Sequence, residues 1–275
     1  MRSLEDGLCD IVGKARRGLN LTEAAVADAA GLSSRQVADV ESGRLVPDEA
    51  AVLRLACALG LRGEALAAIA RDEYRPAPVN LELWGSVHVL ESSYSGYPVN
   101  AYLVWDRQTR RAMLFDTGTD ANAIRQLIRE QDLALEAMAL THTHRDHIAI
   151  LDPIRSEFKP RVIASRKEPA PGAHFVADGE QIALGSLSVE VRETDGHSPG
   201  GLTFVVTGFE GAPPVAAVGD ALFAGSAGGA RVSYERLIEN IRSRILTLPD
   251  TALILPGHGP MTTVGQERQN NPFAG

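Results

Sequence analysis

What is scarce in this chain narrows its class first. Only two cysteines, Cys9 and Cys57, occur in 275 residues, and their separation fits neither a metal-ligand spacing nor a disulfide framework. Both fall in helix-like stretches, where they are expected as small buried side chains. No apolar run approaches the roughly 18 residues that a membrane span needs. The opening segment, MRSLEDGLCDIVGK, places acidic residues where a secretory signal would carry its apolar centre, so a cytoplasmic location is expected. Basic charge is in deficit too. The net charge is −8, and residues 1–75 carry 10 Lys and Arg against 12 Asp and Glu. The basic footprint usual in a nucleic-acid binder is absent from both halves. No internal repeat or low-complexity tract stands out. The remainder, 44% apolar and 23% charged, is the composition of an ordinary soluble globular protein.

Residues 1–75 read as short helices. Apolar residues recur at helical spacing through LTEAAVADAAGLSSRQVADVESGRLVPDEAAVLRLACALGL. Thr22 is placed to cap one helix and Gly31 to end it. Ser33 with Gln36 makes a capping-box signature for the next helix, and Asp48 follows Pro47 as a further cap. Helix, tight Gly turn, helix is the helix-turn-helix pattern. Over about 55 residues the stretch resembles the Cro/Xre family of helix-turn-helix domains. The resemblance implies a recognition helix opening near Ser34, with Ser34, Arg35 and Gln36 as candidate DNA contacts. Two features depart from that family: Glu23 stands where a phosphate-contacting Gln is usual, and Asp39 where a basic or neutral residue is usual. Both carboxylates would oppose phosphate, so the alternative is a helical module that pairs two chains or roofs a site. A homodimer is expected.

RDEYRPAPVN, residues 71–80, reads as a linker, and the division expected is a helical domain over 1–75 and a second domain over 76–275. Beyond the linker the pattern turns to strands: SVHVLES, VNAYLVW, RAMLFD, AMALTH, RVIAS, LSVEVRE, LTFVVTG, PVAAVGD and TALILPG. Helices are expected at TDANAIRQLIREQ and SYERLIENIRSRIL. Five of these strands end in Asp or His beside small residues: Asp116, the run LTHTHRDHI with His142, His144, Asp146 and His147, then His197, Asp220 and His258. A layered scaffold collects ligands in this way from distant parts of a chain. Imidazole and carboxylate suit Zn²⁺, Fe²⁺ or Mn²⁺, and no thiolate is in the set. His142 and His144, two apart, can face one ion while Asp146 and His147 serve a neighbour. Asp220 could bridge both. His88 and His174, outside the constellation, read as ordinary strand and loop residues.

With H-x-H-x-D-H at His142–His147 and the later ligands in order, residues 81–275 resemble a metallo-β-lactamase-fold hydrolase. The resemblance implies an α/β, αββα sandwich with its metals at one edge of the sheets. It implies His142, His144, His197 and Asp220 at one ion, and Asp146, His147, Asp220 and His258 at the other. Asp146 and Asp220 are then catalytic as well as ligating, and Asp116 orients a histidine from behind. The cofactor implied is two divalent ions, with zinc expected and iron or manganese as alternatives.

The commonest class of zinc β-lactamase uses a Cys near the position of Asp220, which argues against a β-lactam substrate. GDALFAGSAGG and PGHGPMTTVGQERQNNPF are similar to the glyoxalase II-like branch. That branch implies hydrolysis of a small-molecule thioester by a hydroxide bridging the ions. Gly229 replaces the Arg usual after its Gly-Ser segment, with Arg231 a substitute nearby, and HIAILDP replaces the usual Gly-Gly. The long helical domain that grips glutathione in glyoxalase II has no counterpart here. The acyl group and thiol carrier therefore stay open. Alternatives are a persulfide dioxygenase with one Fe²⁺ on His142, His197 and Asp220, a lactone or ester hydrolase, and a DNA-binding regulator that senses a small molecule.

Overall fold

Alanine-rich periodicity in the first seventy residues produces five short helices, α1 (Leu8–Gly18), α2 (Glu23–Ala30), α3 (Ser34–Glu41), α4 (Glu49–Ala58) and α5 (Gly63–Ala70). The computed structural model describes residues 3–275. The expected caps form. Thr22 accepts from the Ala25 amide and Asp48 from the Ala51 amide, Gly31 ends α2, and Ser33 and Gln36 close a reciprocal capping box. The two cysteines differ from expectation. Both lie in helices, but Cys9 is half-buried and Cys57 exposed, because Leu55 and Ala56 take the buried face of α4.

The rest of the chain builds two sheets. The first is β1 (Val87–Tyr94), β2 (Tyr97–Trp105), β3 (Arg111–Phe115), β4 (Ala134–Ala139), β5 (Arg161–Ser165) and β6 (His174–Val176), in that spatial order. Helices α6 (Ala121–Glu130) and α7 (Leu151–Phe158) cross over between its parallel strands. The second sheet uses β7 (Gln181–Leu184), β8 (Leu187–Glu193), β9 (Leu202–Thr207), β10 (Val215–Gly219), β13 (Leu253–Pro256) and β14 (Thr262–Thr263), in the order β14-β13-β10-β9-β8-β7. Between β10 and β13 lie a small hairpin, β11 (Leu222–Phe223) with β12 (Ser226–Ala227), and α8 (Tyr234–Asn240). Helix α9 (Val264–Asn270) follows β14. His174 sits exposed on edge strand β6 rather than in a loop, and His88 is exposed on β1. No helix among the described residues is long and apolar enough to cross a membrane.

Period-two patterning decides which face each strand buries. Tyr102, Val104, Met113 and Phe115 of the first sheet meet Phe204, Val206, Val215 and Leu253 of the second, with the Phe115 and Phe204 rings 5.6 Å apart. The alternate residues Leu103, Leu114 and Met138 pack outward under Ile124, Leu127 and Ile154 of α6 and α7. On the far side Val205, Ala216, Val218 and Ile254 pack outward against Leu237 and Ile241, and against Ile11, Val12, Leu55 and Leu66 of the helical segment. Residues from both sides of the Pro-rich linker thus share one core.

Candidate metal centre

Parallel pairing brings the ligand-bearing strand ends together. Since β3 and β4 run parallel, Asp116 and His142 leave the sheet side by side, with the Asp116 amide bonded to the Ala139 carbonyl at 3.1 Å. On the other sheet β10 and β13 are parallel, and the Gly257 amide bonds the Gly219 carbonyl at 2.9 Å, setting Asp220 beside His258. Gly257 allows the approach: a Cβ there would collide with Asp220 Oδ1 and His147 Cε1. His197 arrives on the loop after β8. The two sheets are stitched at this edge by the Leu202 amide to the Thr141 carbonyl and the Asn100 amide to the Gly257 carbonyl, both 2.8 Å.

Four imidazoles are held by their outer nitrogens. His197 Nδ1 lies 2.8 Å from the Gly229 carbonyl and His258 Nδ1 2.6 Å from the Pro98 carbonyl, so each carries its proton on Nδ1. His147 Nδ1 lies 2.9 Å from Asp116 Oδ2. Thr141 Oγ1 donates to Asp116 Oδ2 at 2.7 Å, which leaves it to accept from His142 Nδ1 at 3.0 Å. The inner nitrogens converge. His142 Nε2, His197 Nε2 and His258 Nε2 stand 3.9, 3.5 and 3.5 Å from Asp220 Oδ2, and His147 Nε2 stands 3.3 Å from Asp220 Oδ1. His144 Nδ1 is 3.1 Å from His197 Nε2. Asp146 Oδ2 is 3.3 Å from His258 Nε2 and 3.7 Å from His147 Nε2.

Two donor sets emerge, His142 with His144, His197 and Asp220, and Asp146 with His147 and His258. Asp220 faces both through its two oxygens. Asp116, grouped with His142 and His147 by distance, has its oxygens taken by Thr141 N, Thr141 Oγ1 and His147 Nδ1 and stands behind the set.

Whether these residues fit a cation is answered by their unmet valences. His142 Nε2, His147 Nε2 and Asp220 Oδ1 are fully buried and have no hydrogen-bond partner. A buried polar atom left so costs about 1–3 kcal/mol, and these three belong to side chains that converge on Asp220, so the residues fit a cation. The proton affinities agree. Burial and the neighbouring His147 hold His142 well below the usual histidine range. Burial likewise pulls His197 down to about 4, against the Asp220 charge. Burial opposes the charged form of His147 and His258 as well, but their carboxylates outweigh it. Asp220 and Asp116 hold His147 well above its usual value, and Asp146 and Asp220 raise His258 to about 10. Burial would raise Asp220, yet His147 keeps it far below the usual carboxylate range. Positive charge is drawn into this cage from its own imidazoles, a setting that suits a divalent ion.

A family model of the metallo-beta-lactamase superfamily matches residues 94–258, and a helix-turn-helix domain model matches residues 13–69. The chain belongs to the metallo-beta-lactamase superfamily. It is 31% identical over 204 residues to the hydroxyacylglutathione hydrolase GloC of Haemophilus influenzae, an alignment covering 65% of this chain and 94% of the relative. Among solved structures it is similar to ETHE1 from Myxococcus xanthus, with a TM-score of 0.61, 26% identity, and 68% and 84% of the two chains covered. TTHA1623 in a di-iron-bound form gives a TM-score of 0.56 at 28% identity, covering 67% of this chain and all of that one.

Around the superfamily motif the structure adds groups that motif reading passed over. Glu168 accepts the Thr143 amide and hydroxyl through Oε1 and the Gly200 amide through Oε2, each at 3.0 Å, tying the His142–His147 loop to the His197 loop. Its segment, SRKEPAPG, carries no spacing that would have signalled this. The cage opens to solvent through a cavity of about 450 Å³ lined by Thr143, His144, Arg145, Asp146, Asp220, Arg231 and His258. Arg145 and Arg231 are exposed, and neither meets a carboxylate within 4.0 Å among the described residues. In the helix-turn-helix region Ser34 and Arg35 are exposed on α3, whereas Gln36 Oε1 is occupied by the Ser33 amide at 2.9 Å. Asp39 is paired with Arg44 at 2.7 Å and Arg35 at 3.8 Å, which leaves this face of α3 near neutral rather than basic or acidic.

Proposed function

We propose that the chain is a di-metal hydrolase of thioesters whose thiol carrier bears an anionic group. The observation that carries the metal reading is the trio of buried, partnerless atoms on His142, His147 and Asp220 inside a cage whose outer nitrogens are fixed. His142, His144, His197 and Asp220 would hold one ion, and Asp146, His147, His258 and Asp220 the other. Bound there, zinc, or iron or manganese in its place, supplies Lewis acidity and acidifies water for attack near neutral pH. The protein's own groups do the rest. Asp146 is the more exposed of the two carboxylates and lines the mouth, so it takes the proton of the attacking water and passes it to solvent. Asp220, buried between the two donor sets, keeps them in register. Arg145 and Arg231 orient the anionic carrier at the rim. Oxygen bonds to the acyl carbon, the carbon–sulfur bond breaks, and the electron pair leaves on sulfur. Similarity to GloC supports the thioester class, and the arginine-flanked mouth supports an anionic carrier.

The second reading, oxygen-dependent oxidation of a persulfide at one iron on His142, His197 and Asp220, is favoured by 33% identity over 180 residues to the mitochondrial persulfide dioxygenase ETHE1 of Bos taurus. One experiment separates the two. Metal-loaded protein is offered S-lactoylglutathione and acetyl-coenzyme A, and separately glutathione persulfide under an oxygen electrode. Thiol release without oxygen uptake supports hydrolysis; oxygen uptake without thiol release contradicts it.

A further inference from the structure

The helical segment does more than cover a sheet. At its leading end Glu5 packs its backbone and Cβ against Gly259, the residue after His258. Asp6 is buried, and its Oδ2 accepts from Lys14 Nζ of α1 and from Ser226 Oγ of the β11–β12 hairpin, both at 2.5 Å. Lys14 Nζ also donates to the Ala227 carbonyl at 3.0 Å and lies 5.1 Å from the centroid of the Phe223 ring. That ring stands edge-on to His258 at 5.8 Å. The next residues of the hairpin strip are part of the cage. Gly228 passes so close that a Cβ would collide with the Asp220 carbonyl and reach His197 Nδ1 at 2.8 Å, and Gly229 supplies the carbonyl that orients His197.

We infer that Lys14 and Asp6 are positioning residues of the metal pocket, clamping the Ser226–Gly229 strip that orients His197 and walls Asp220. The clamp suits its job. One buried carboxylate oxygen of Asp6 accepts from both the Lys14 ammonium and the Ser226 hydroxyl, in charge-assisted bonds. The strip it grips contains two adjacent glycines with no side chain to anchor them. Removing a residue that orients a metal ligand from behind typically costs about 10–100-fold in metal affinity. The GloC alignment spans 94% of that relative with only 65% of this chain, which leaves too little of GloC to hold five helices. The clamp is therefore a feature of this chain's helical segment rather than of the shared hydrolase portion.

The inference rests on the metal-binding part of the reading above and is independent of the substrate. Its test uses the full chain and Zn²⁺ in competition with a chromophoric chelator. Lys14→Met keeps the apolar stem over Phe223 and removes the ammonium; Lys14→Arg restores a cation. Val26→Ala, in the buried core of α2, loosens the helical segment without touching the clamp. The expected result is a loss of Zn²⁺ affinity of about tenfold or more for Lys14→Met and partial recovery in Lys14→Arg. Val26→Ala should lower Tm while staying within about twofold of wild-type affinity. In metal-free protein, hydrogen exchange over residues 220–231 should rise in Lys14→Met and not in Val26→Ala. Wild-type affinity and exchange in Lys14→Met, or equal effects in Val26→Ala, would overturn the inference. A wild-type chain that binds no Zn²⁺ would instead defeat the metal reading, and the exchange comparison would still decide the clamp.

Discussion

Single groups behind the cage fix the orientation of its imidazoles. Asp116 adopts a left-handed backbone, φ 55°, at the end of β3, and its two oxygens receive three donors. Asparagine keeps the shape but offers an amide where three hydrogens already point. Asp116→Asn should therefore weaken Zn²⁺ binding about ten- to a hundredfold, read by chelator competition, and an affinity within twofold of wild type would leave Asp116 passive. A second carboxylate, far from the cage, links the two sheets. Asp106 accepts from Thr109 and Gln108 in its own turn and from the Ser186 amide and hydroxyl between β7 and β8. Burial would raise its pKa, but these bonds win and hold it at about 2, against an ordinary 3.8. A depressed carboxylate stabilises the fold above its unfolded pKa and loses that contribution as pH falls through the folded one. Asp106→Asn should cost about 2 kcal/mol at neutral pH. It should also flatten the loss of stability between about pH 4 and pH 2, measured by urea unfolding at several pH values.

At the scale of elements, the junction between the helical and sheet regions is pinned by a buried carboxylate. Glu267 of α9 is fully buried and accepts from Tyr74 of the linker, Thr262, the Gly225 amide and Asn271. Tyr74→Phe removes one donor and should cost about 1 kcal/mol. Glu267→Ala strands all four donors and should cost about 3–5 kcal/mol, compared by calorimetry; equal losses in the two variants would show that the network does not act as a unit. Elements of this chain were legible where pattern was long and local. The apolar strands ending at Asp116, His142, Asp220 and His258 stand out because a run of four or more buried residues admits little else. The caps at Thr22, Ser33 and Asp48 are equally plain, since each depends on residues three apart. Shorter elements escaped: β11, β12 and β14 are two residues each and exist only because tertiary neighbours pair them. Helix α7 escaped because Pro153 reads as a breaker, although it sits in the first turn, where its missing amide costs nothing. The expected helix at 233–246 is real, but its end winds into a π-turn that puts both Ile241 and Ile245 in the core. All seven cage residues and the buttress Asp116 stand out from strand ends and spacing. Glu168, Lys14 and Asp6 do not, because their roles depend on contacts between segments 25 to 220 residues apart.

For the molecule as a whole, the helical segment and the second sheet bury one another. Ile11, Val12, Leu55 and Leu66 cover Val205, Ala216 and Ile254, so the division at the Pro-rich linker separates sequence patterns more than it separates cores. A chain starting at residue 76 would expose that apolar face and lose the Lys14–Asp6 clamp. It should be recovered aggregated or with a strongly lowered Tm, whereas a soluble fragment with wild-type Tm would show two independent units. The central proposal is that one cage, assembled from four strand ends with Asp116 of a fifth behind it, holds two divalent ions through the shared carboxylate of Asp220. Its most direct test is the metal content of the full chain by mass spectrometry after reconstitution with Zn²⁺ and removal of excess, in wild type and in Asp220→Ala. Two ions per wild-type chain, falling to one or none in the variant, is the result predicted. One ion or none in wild type, or two retained without Asp220, would contradict it.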